Sequence, residues 1–388
     1  METGARAFVV VLDACGVGAL PDADQYGDAG SHTLAHLAQA TGGLALPTLE
    51  RLGLGNLADL RGVTPSREPV AHGRLAPLGG GKDTMAGHWE LMGASTGAPP
   101  VYPDGFPAEV IDAFVAATGR GVIGNAASEG LAAIAAHGPR QLETGELIVY
   151  TSQDSVFQVA AHTSVLSERE LHGHCATARE ILSGEHAVGR VIARPFEGEP
   201  GAFRRTAGRR DFALPPRGRT YLDELHDRDV PVHAVGKVGQ VFAGQGIEFD
   251  HPAPDNPTGI AATSELIGGL PEGLVFTNLV DTDQVYGHRK DVAGFHAALQ
   301  EIDAAVARWL RALRARDLLV LTADHGCDPA HPGSDHTREY VPLLALFEGH
   351  AGRSVDGPMA RVGASVLAWL TGARSPLPGE PFVAGGDQ

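Results

Sequence analysis

Six acidic and imidazole side chains stand in short motifs that are suited to metal binding. Two are adjacent in TADHG, one follows in SDHTRE, two stand in DTDQVYGH and one in LDACG. Carboxylate and imidazole ligands without thiolate suit manganese, zinc or related divalent ions. Six protein ligands are enough for two ions with open positions for a phosphate, as in two-metal phosphoryl transfer. The candidate ligands are Asp13, Asp283, His288, Asp324, His325 and His336.

The Pro- and Gly-rich loop between His325 and His336 contains further polar residues. They are Asp328, His331 and Asp335. These side chains could orient the metal ligands by hydrogen bonding to them, or they could be solvated loop residues. The sequence leaves both interpretations open.

A glycine-rich segment, GGGKDTMAGHWELMG, places a hydroxyl beside a cation and an acid. It is not a Walker A loop, because Asp83 follows Lys82 and the required glycine spacing is absent. A hydroxyl attacks phosphorus well only when a base or a metal removes its proton. Thr84 is therefore predicted as the nucleophile, with the alternative that Thr84 caps a helix beginning at Met85.

Three apolar runs end in an acidic residue and predict buried parallel strands: AFVVVLDACG, GLVFTNLVDTD and DLLVLTADHG. The apolar residues of AGFHAALQEIDAAVARWLRALRARD recur at helical spacing, so strands and helices together indicate an α/β fold. In open α/β sheets ligands bind outside the carboxyl ends of the strands. We therefore expect Asp13, Asp283 and Asp324 to converge on one site, although each could instead cap the helix that follows it.

The middle of the chain differs from the rest in composition. It contains the Gly- and Pro-punctuated run APPVYPDGFP and the basic tract RRTAGRRDFALPPRGR. A chain of 388 residues is long for a single core. We predict a metal-binding phosphotransfer core formed by residues 1–96 and 218–388, with a smaller substrate domain, residues 97–217, inserted as a cap.

The overall charge limits the classes of partner. Asp and Glu number 47 against 30 Lys and Arg, a formal net charge of -17, which argues against nucleic acid and anionic membranes as partners. The first apolar run is too short to span a bilayer and no cleavage signature follows it, so we expect a cytoplasmic protein. Cys15, Cys175 and Cys327 are widely spaced and predict neither a disulfide framework nor a zinc ribbon.

Five motifs, in order along nearly the whole chain, resemble those of phosphopentomutases: LDACGVGALPDADQYGD, GKDTMAGHWELMG, GRVIARPFEGEPGAF, LVDTDQVYGHRKDVAGF and LTADHGCDPAHPGSDHTREYVPLLA. This resemblance implies an alkaline-phosphatase-like core, with a central mostly parallel sheet flanked by helices, and a smaller inserted α/β cap domain. It also implies two manganese ions, a phosphothreonine, and interconversion of the 1-phosphate and 5-phosphate of ribose or deoxyribose.

Carried over position by position, the resemblance assigns roles to the candidate residues. Asp13, Asp324 and His325 would hold one ion next to Thr84, and Asp283, His288 and His336 would hold the other. Asp154, Arg194 and Arg209 of the cap and Lys237 of the core would grip the sugar phosphate. Phospho-Thr84 would donate its group to a pentose monophosphate and recover the other phosphate from the resulting bisphosphate.

Departures from the family pattern lie away from the metal motifs. They are His32, Glu129, Gln153, Thr163 and Arg210. Because several stand in motifs expected to face the sugar, a modified pentose phosphate is an alternative substrate. A metal-dependent phosphatase of the same superfamily is the other alternative. The sequence leaves open the oligomeric state and whether a sugar bisphosphate activator is required.

Overall fold

The computed structural model describes residues 4–94, 99–152, 155–333, 335–350 and 352–383. These residues form two compact units. The core unit comprises Met1–Ala98 and Pro216–Gln388, and the cap unit comprises Pro99–Pro215.

The core unit is built on an eight-stranded sheet in the order β10-β9-β11-β1-β12-β13-β2-β14. At its centre β1 (Arg6–Leu12) pairs in parallel with β11 (Gly273–Leu279) on one side and β12 (Asp317–Thr322) on the other. Every residue of these three strands is buried, as expected where helices cover both faces of a parallel sheet. The remaining strands are β2 (Ala71–Ala76), β9 (Val232–Val235), β10 (Phe249–His251), β13 (Val341–Leu346) and β14 (Gly357–Pro358). Of these, β13 runs antiparallel to β12 and to β2.

The helices of the core unit flank this sheet. The longest is α10 (Val292–Ala312), which buries an apolar stripe that includes Phe295, Ile302 and Trp309. The others are α1 (Thr33–Ala40), α2 (Pro47–Leu52), α3 (Thr84–Leu91), α7 (Tyr221–His226), α8 (Val238–Val241), α9 (Asn256–Gly269) and α11 (Arg361–Thr371). Among all helices of the described residues, none has the length and apolarity needed to cross a bilayer.

The cap unit has its own sheet, in the order β3-β4-β5-β6-β7, with β8 pairing to β6. Its strands are β3 (Val122–Ala127), β4 (Leu147–Thr151), β5 (Val156–His162), β6 (Arg190–Glu197), β7 (Arg204–Arg205) and β8 (Arg210–Ala213). Its helices are α4 (Ala108–Thr118), α5 (Gly130–Thr144) and α6 (Glu168–Ile181). Phe157 packs with α4 and α6, whereas Tyr150 and Phe196 belong to a second apolar cluster with α5. Helices therefore cover both faces of this sheet.

The predicted fold class is confirmed. The core unit has a central, mostly parallel sheet with flanking helices, and a smaller α/β unit interrupts it in sequence. The three apolar runs singled out in the sequence are β1, β11 and β12, which are immediate neighbours.

Candidate active site

Three carboxylates follow the carboxyl ends of the adjacent strands β1, β11 and β12. They are Asp13, Asp283 and Asp324, and each is at most 4% exposed. Hydrogen bonds join the three segments. The backbone nitrogen of Ala14 donates to Asp324 Oδ1 (3.2 Å), and Thr282 Oγ1 donates to the carbonyl oxygen of Asp13 (2.6 Å). The strand order therefore brings together acids that are far apart in the sequence.

One group of candidate ligands consists of Asp13, Asp324 and His325, whose ligand atoms lie within 4.8 Å of one another. Nε2 of His325 is 3.4 Å from Asp13 Oδ1 and 3.5 Å from Asp324 Oδ2. The same nitrogen lies 3.2 Å from the hydroxyl oxygen of Thr84. The predicted nucleophile is thus beside this group.

A second group surrounds Asp283. Its Oδ1 lies 3.3 Å from His336 Nε2 and 3.5 Å from His288 Nε2, and the two nitrogens are 3.1 Å apart. His325 comes within the same 4.8 Å limit of Asp283 and His336, so the two groups form one continuous cluster.

Cys327 also has its sulfur within 4.8 Å of ligand atoms of Asp283 and His288. The sequence analysis did not include this cysteine among the candidate ligands. In the absence of metal, burial, with the nearby charge of Asp283, raises the pKa of the thiol well above its usual value.

The donor set fits divalent cations. The oxygens Asp13 Oδ1, Asp283 Oδ1 and Asp324 Oδ2 are buried, and among the described residues none of them accepts a hydrogen bond of ordinary geometry, although imidazole nitrogens lie 3.3–3.5 Å away. A buried carboxylate oxygen is costly unless an opposite charge or a donor meets it, and here three converge with imidazoles. Hard oxygen ligands with imidazole are the donors that manganese and zinc accept.

Electrostatics in the cluster agree with this view. Burial raises the pKa of Asp13 well above its ordinary value, and the charges of Asp324 and Asp283 raise it further. Burial alone would also raise the pKa of Asp324, but His325 and His88 outweigh it and bring it to about 2. The clustered carboxylates therefore repel one another, and the imidazoles and Lys237 supply the positive charge that offsets part of this repulsion.

Thr84, the predicted nucleophile, is the first residue of α3, and the residue before it caps the helix. The carboxylate of Asp83 accepts hydrogen bonds from the backbone nitrogens of Met85 (2.9 Å) and Ala86 (3.1 Å). The alternative that Thr84 is the cap is therefore wrong, and its hydroxyl remains free to face His325. A Cβ at Gly87 would lie 2.2 Å from the carbonyl oxygen of Asp324, so only glycine allows this close approach.

Several residues that sequence reasoning missed fix the loop before Thr84. Glu90, 3% exposed, accepts from the backbone nitrogens of Leu78 (2.9 Å) and Gly79 (2.6 Å). Lys82 donates to the buried Asp28 at 3.0 Å. The available sequence signal for Glu90 was an acidic residue three positions after Gly87, in the motif GHWE.

The three uncertain loop residues have different partners. Asp328 is buried and accepts from the backbone nitrogen of His32 (2.8 Å), and it lies 2.6 Å from His36 Nδ1. His331 bonds to the carbonyl oxygen of Gly27. Asp335 accepts from the backbone nitrogen of the candidate ligand His336 (2.8 Å). Asp335 thus contacts a candidate ligand directly, whereas the other two tie the loop to segment 27–36.

In the cap unit, Arg194 donates from Nε to Gln158 (3.1 Å), and Arg209 forms two 2.7 Å bonds to Asp211. Burial lowers the pKa of Arg194, and the neighbouring Arg209 lowers it further, which indicates a crowded basic surface. Asp154, predicted to bind the sugar, lies outside the described residues.

Lys237 of the core unit follows β9, which pairs with β11, and directly precedes α8. Its charge acts to lower the pKa of Asp13, so it lies within electrostatic reach of the cluster. The cation therefore stands at the same edge of the sheet as the candidate metal ligands.

Most of the departures from the family pattern have local partners. The ring nitrogen of His32 caps α1 by accepting from Ala35 (3.2 Å), and the carboxylate of Glu129 caps α5. Arg210 lies over the ring of Phe212 at 5.0 Å, and the backbone nitrogen of Thr163 donates to the carbonyl oxygen of a β6 residue. Gln153 lies outside the described residues.

Residues 5–371 match the model of the Metalloenzyme superfamily, so the chain belongs to this superfamily. The chain is 51% identical over 341 residues to the phosphopentomutase of Caldanaerobacter subterraneus subsp. tengcongensis, covering 87% of this chain and 86% of that protein. It is 47% identical to the phosphopentomutase of Acetivibrio thermocellus, covering 97% and 98%. The chain belongs to the phosphopentomutase family. Among solved structures, a phosphoglycerate mutase of Leishmania mexicana is 14% identical, with a TM-score of 0.48, over 98% of this chain and 97% of that one.

Proposed function

We propose that this enzyme interconverts the 1-phosphate and 5-phosphate of ribose or deoxyribose through a phosphothreonine at Thr84. The observation that carries the proposal is the 3.2 Å separation between the Thr84 hydroxyl and His325 Nε2, within a cluster of buried carboxylates and imidazoles. Membership of the phosphopentomutase family supports the same reaction.

Two divalent cations, most simply manganese, would occupy the cluster. Asp13, Asp324 and His325 would hold the first, and Asp283, His288 and His336 the second. When bound, the cations would stabilise the charge on the attacking and leaving oxygens of phosphoryl transfer.

His325 is held in a defined ring orientation. Its Nδ1 lies 3.1 Å from the carbonyl oxygen of Gly326, which can only accept, so Nδ1 carries a proton. Nε2 is therefore the nitrogen that faces Asp13 and Thr84. This orientation presents Nε2 to a cation held by the cluster.

Thr84 carries the phosphoryl group at the first residue of α3, where the positive end of the helix dipole stabilises negative charge. In the forward direction the bond between Oγ1 and phosphorus breaks while a pentose hydroxyl bonds to that phosphorus. The resulting bisphosphate then returns its other phosphate to Thr84. The net reaction is an isomerisation that regenerates the phosphothreonine.

We assign Asp154, Arg194, Arg209 and Lys237 to sugar-phosphate binding. The planar guanidinium groups of the two arginines can each donate two hydrogen bonds to a phosphate. No nucleic acid is needed as a partner, consistent with the net charge of -17.

We place this reaction in the cytoplasm. Cys15, Cys175 and Cys327 are all buried and unpaired. Free thiols are typical of a reducing compartment.

The experiment is to incubate the manganese-loaded protein with ribose 1-phosphate and to follow the phosphorus resonances of ribose 5-phosphate and inorganic phosphate together. Conversion without phosphate release is the expected result. Release of phosphate alone would replace the proposal with a phosphatase. Absence of both reactions, with conversion of a modified pentose 1-phosphate, would move the substrate to that sugar.

A further inference from the structure

His88 is a buried histidine that the proposed reaction does not use. It lies on α3, one turn after Thr84, and is 0% exposed. Its Nδ1 is 2.8 Å from the carbonyl oxygen of Thr84 and 3.3 Å from Asp324 Oδ2. One ring nitrogen therefore contacts both the nucleophile's backbone and a candidate metal ligand.

The position of the proton on His88 follows from these partners. A carbonyl oxygen can only accept a hydrogen bond, and the same is true of an ionised carboxylate. Nδ1 must therefore be the protonated nitrogen. Its hydrogen bond goes to the carbonyl oxygen of Thr84, and Asp324 Oδ2 lies beside the same N–H at 3.3 Å. Within the described residues the other nitrogen, Nε2, is buried without a hydrogen-bond partner, and the ring packs against Phe276 with centroids 5.6 Å apart.

The position of His88 matters because Asp324 approaches α3 so closely. Gly87, the preceding residue, leaves no room for a Cβ beside the backbone of Asp324. Asp324 Oδ1 is already bound by the backbone nitrogens of Ala14 (3.2 Å) and His325 (3.1 Å). The Nδ1–H of His88 is the side-chain donor next to the remaining oxygen.

We infer that His88 is a positioning residue that locks the Asp324 carboxylate and the first turn of α3 into one arrangement. The separation between the cation ligand and the Thr84 hydroxyl is thereby fixed before substrate binds. The inference rests on the proposed roles of Asp324 and Thr84. A carboxylate with no such donor can rotate, and loss of an outer hydrogen bond typically weakens metal affinity or activity about 10- to 100-fold.

Two amide substitutions separate this role from simple packing. His88→Asn places its Nδ2 near the position of the imidazole Nδ1, whereas His88→Gln places its Nε2 near the imidazole Nε2, where the structure has no partner. Trp89→Phe is the matched control, because it removes a buried bond to Val241 in the same helix without touching Asp324.

The test measures manganese binding to the metal-free proteins by calorimetry and then kcat and KM of the loaded enzymes. We expect the manganese affinities of H88N and W89F to lie within about threefold of the wild-type affinity. H88Q should bind about 10- to 100-fold more weakly at one site. In turnover, kcat should fall for H88Q with little change in KM, because the cap residues that bind sugar are unaltered.

Equal manganese affinity for H88Q and wild type would overturn the inference, as would equal weakening in H88N and H88Q. A loss of manganese affinity in W89F as large as that in H88Q would also overturn the inference, because the effect would then be one of general destabilisation. A wild-type protein that binds no divalent metal would instead refute the proposed metal centre, and the inference with it. The wild-type titration alone distinguishes that outcome from a failure specific to His88.

Discussion

The guanidinium group of Arg338 donates a 2.9 Å hydrogen bond to the carbonyl oxygen of Gly81. This bond joins the loop that carries His336 to the loop that precedes Thr84. Arg338 also pairs with both carboxylate oxygens of Asp22, at 3.2 and 3.0 Å. One buried cation therefore links the segment of the candidate ligand His336 to the segment of the predicted nucleophile Thr84.

Replacing Arg338 with Lys should slow turnover. An ammonium group cannot form the paired bonds to Asp22 and the bond to Gly81 together, so the loop should shift. We expect a loss of about 1–3 kcal/mol in the free energy of unfolding and a fall in kcat of about 10- to 100-fold. Arg374→Lys is the control, since its exposed ion pair with Glu380 contributes little. Equal kcat in both variants would contradict this role.

Thr84→Ala should abolish turnover, by about 10⁴-fold or more, because the variant has no hydroxyl to phosphorylate. Thr84→Ser keeps a hydroxyl at the same position and should retain measurable activity. Mass spectrometry should find the phosphoryl group on residue 84 in wild type and on the serine variant. Mutase activity in T84A would remove Thr84 as the nucleophile.

Asp283→Asn should lower stability both without and with metal. The imidazole of His336, with those of the neighbouring histidines, outweighs burial and holds the pKa of the Asp283 carboxyl well below its usual range, so the ionised carboxylate stabilises the metal-free fold at neutral pH. We expect the metal-free variant to lose about 1–3 kcal/mol in the free energy of unfolding. With metal in 100-fold excess over its dissociation constant, wild type should gain about 2.7 kcal/mol at a site, and the variant less. Thermal unfolding with and without manganese measures both effects. A metal-free variant as stable as metal-free wild type would contradict the ion-pair argument.

Glu129→Ala should loosen the first turn of α5. The Glu129 carboxylate accepts from the backbone nitrogens of Leu131 (2.9 Å) and Ala132 (3.0 Å), which lowers its pKa below the ordinary 4.5. A lowered carboxylate pKa means that the stabilisation is complete above pH 4.5 and is lost as pH falls through the folded-state value. Hydrogen exchange at these two amides should be faster in the variant at neutral pH. The increase should correspond to a loss of about 0.5–2 kcal/mol in the free energy of local opening. A difference from wild type that persists at low pH would argue against the cap.

Arg194→Gln should weaken substrate use without affecting the metals. Loss of a charged hydrogen bond to phosphate costs about 1.5–3 kcal/mol, so kcat/KM should fall about 10- to 100-fold. Arg204→Gln is the control, because Arg204 is exposed and pairs with Glu197. Manganese affinity measured by calorimetry should be unchanged in both. Unchanged kcat/KM for R194Q would remove this residue from the substrate site.

The strands and their terminal acids could be predicted because the signal is local. Each apolar run is continuous, and each is followed within a few residues by Asp13, Asp283 or Asp324. The adjacency of the three strands could not be predicted, since it depends on pairing between segments far apart in the chain. Contacts between the loops of the site were equally out of reach. Arg338 and Gly81, which are hydrogen-bonded, are 257 residues apart.

The cap of α3 shows a different limit. Asp83 and Thr84 are neighbours and both residue types are good helix caps, so the sequence could not decide between them. The decision depends on which side chain faces His325, and that contact is tertiary. His88 was missed for the same reason, because a histidine in a buried helix is equally consistent with ordinary packing.

The central position of β1 makes the core sheet a long-range structure. Its two neighbours in the sheet, β11 and β12, lie far along the chain from it, and Ala14 bonds to Asp324, 310 residues later. Contacts between such distant segments form late in folding, because the chain must first close a long loop. A fragment that lacks β11 and β12 therefore cannot bring Asp13, Asp283 and Asp324 together.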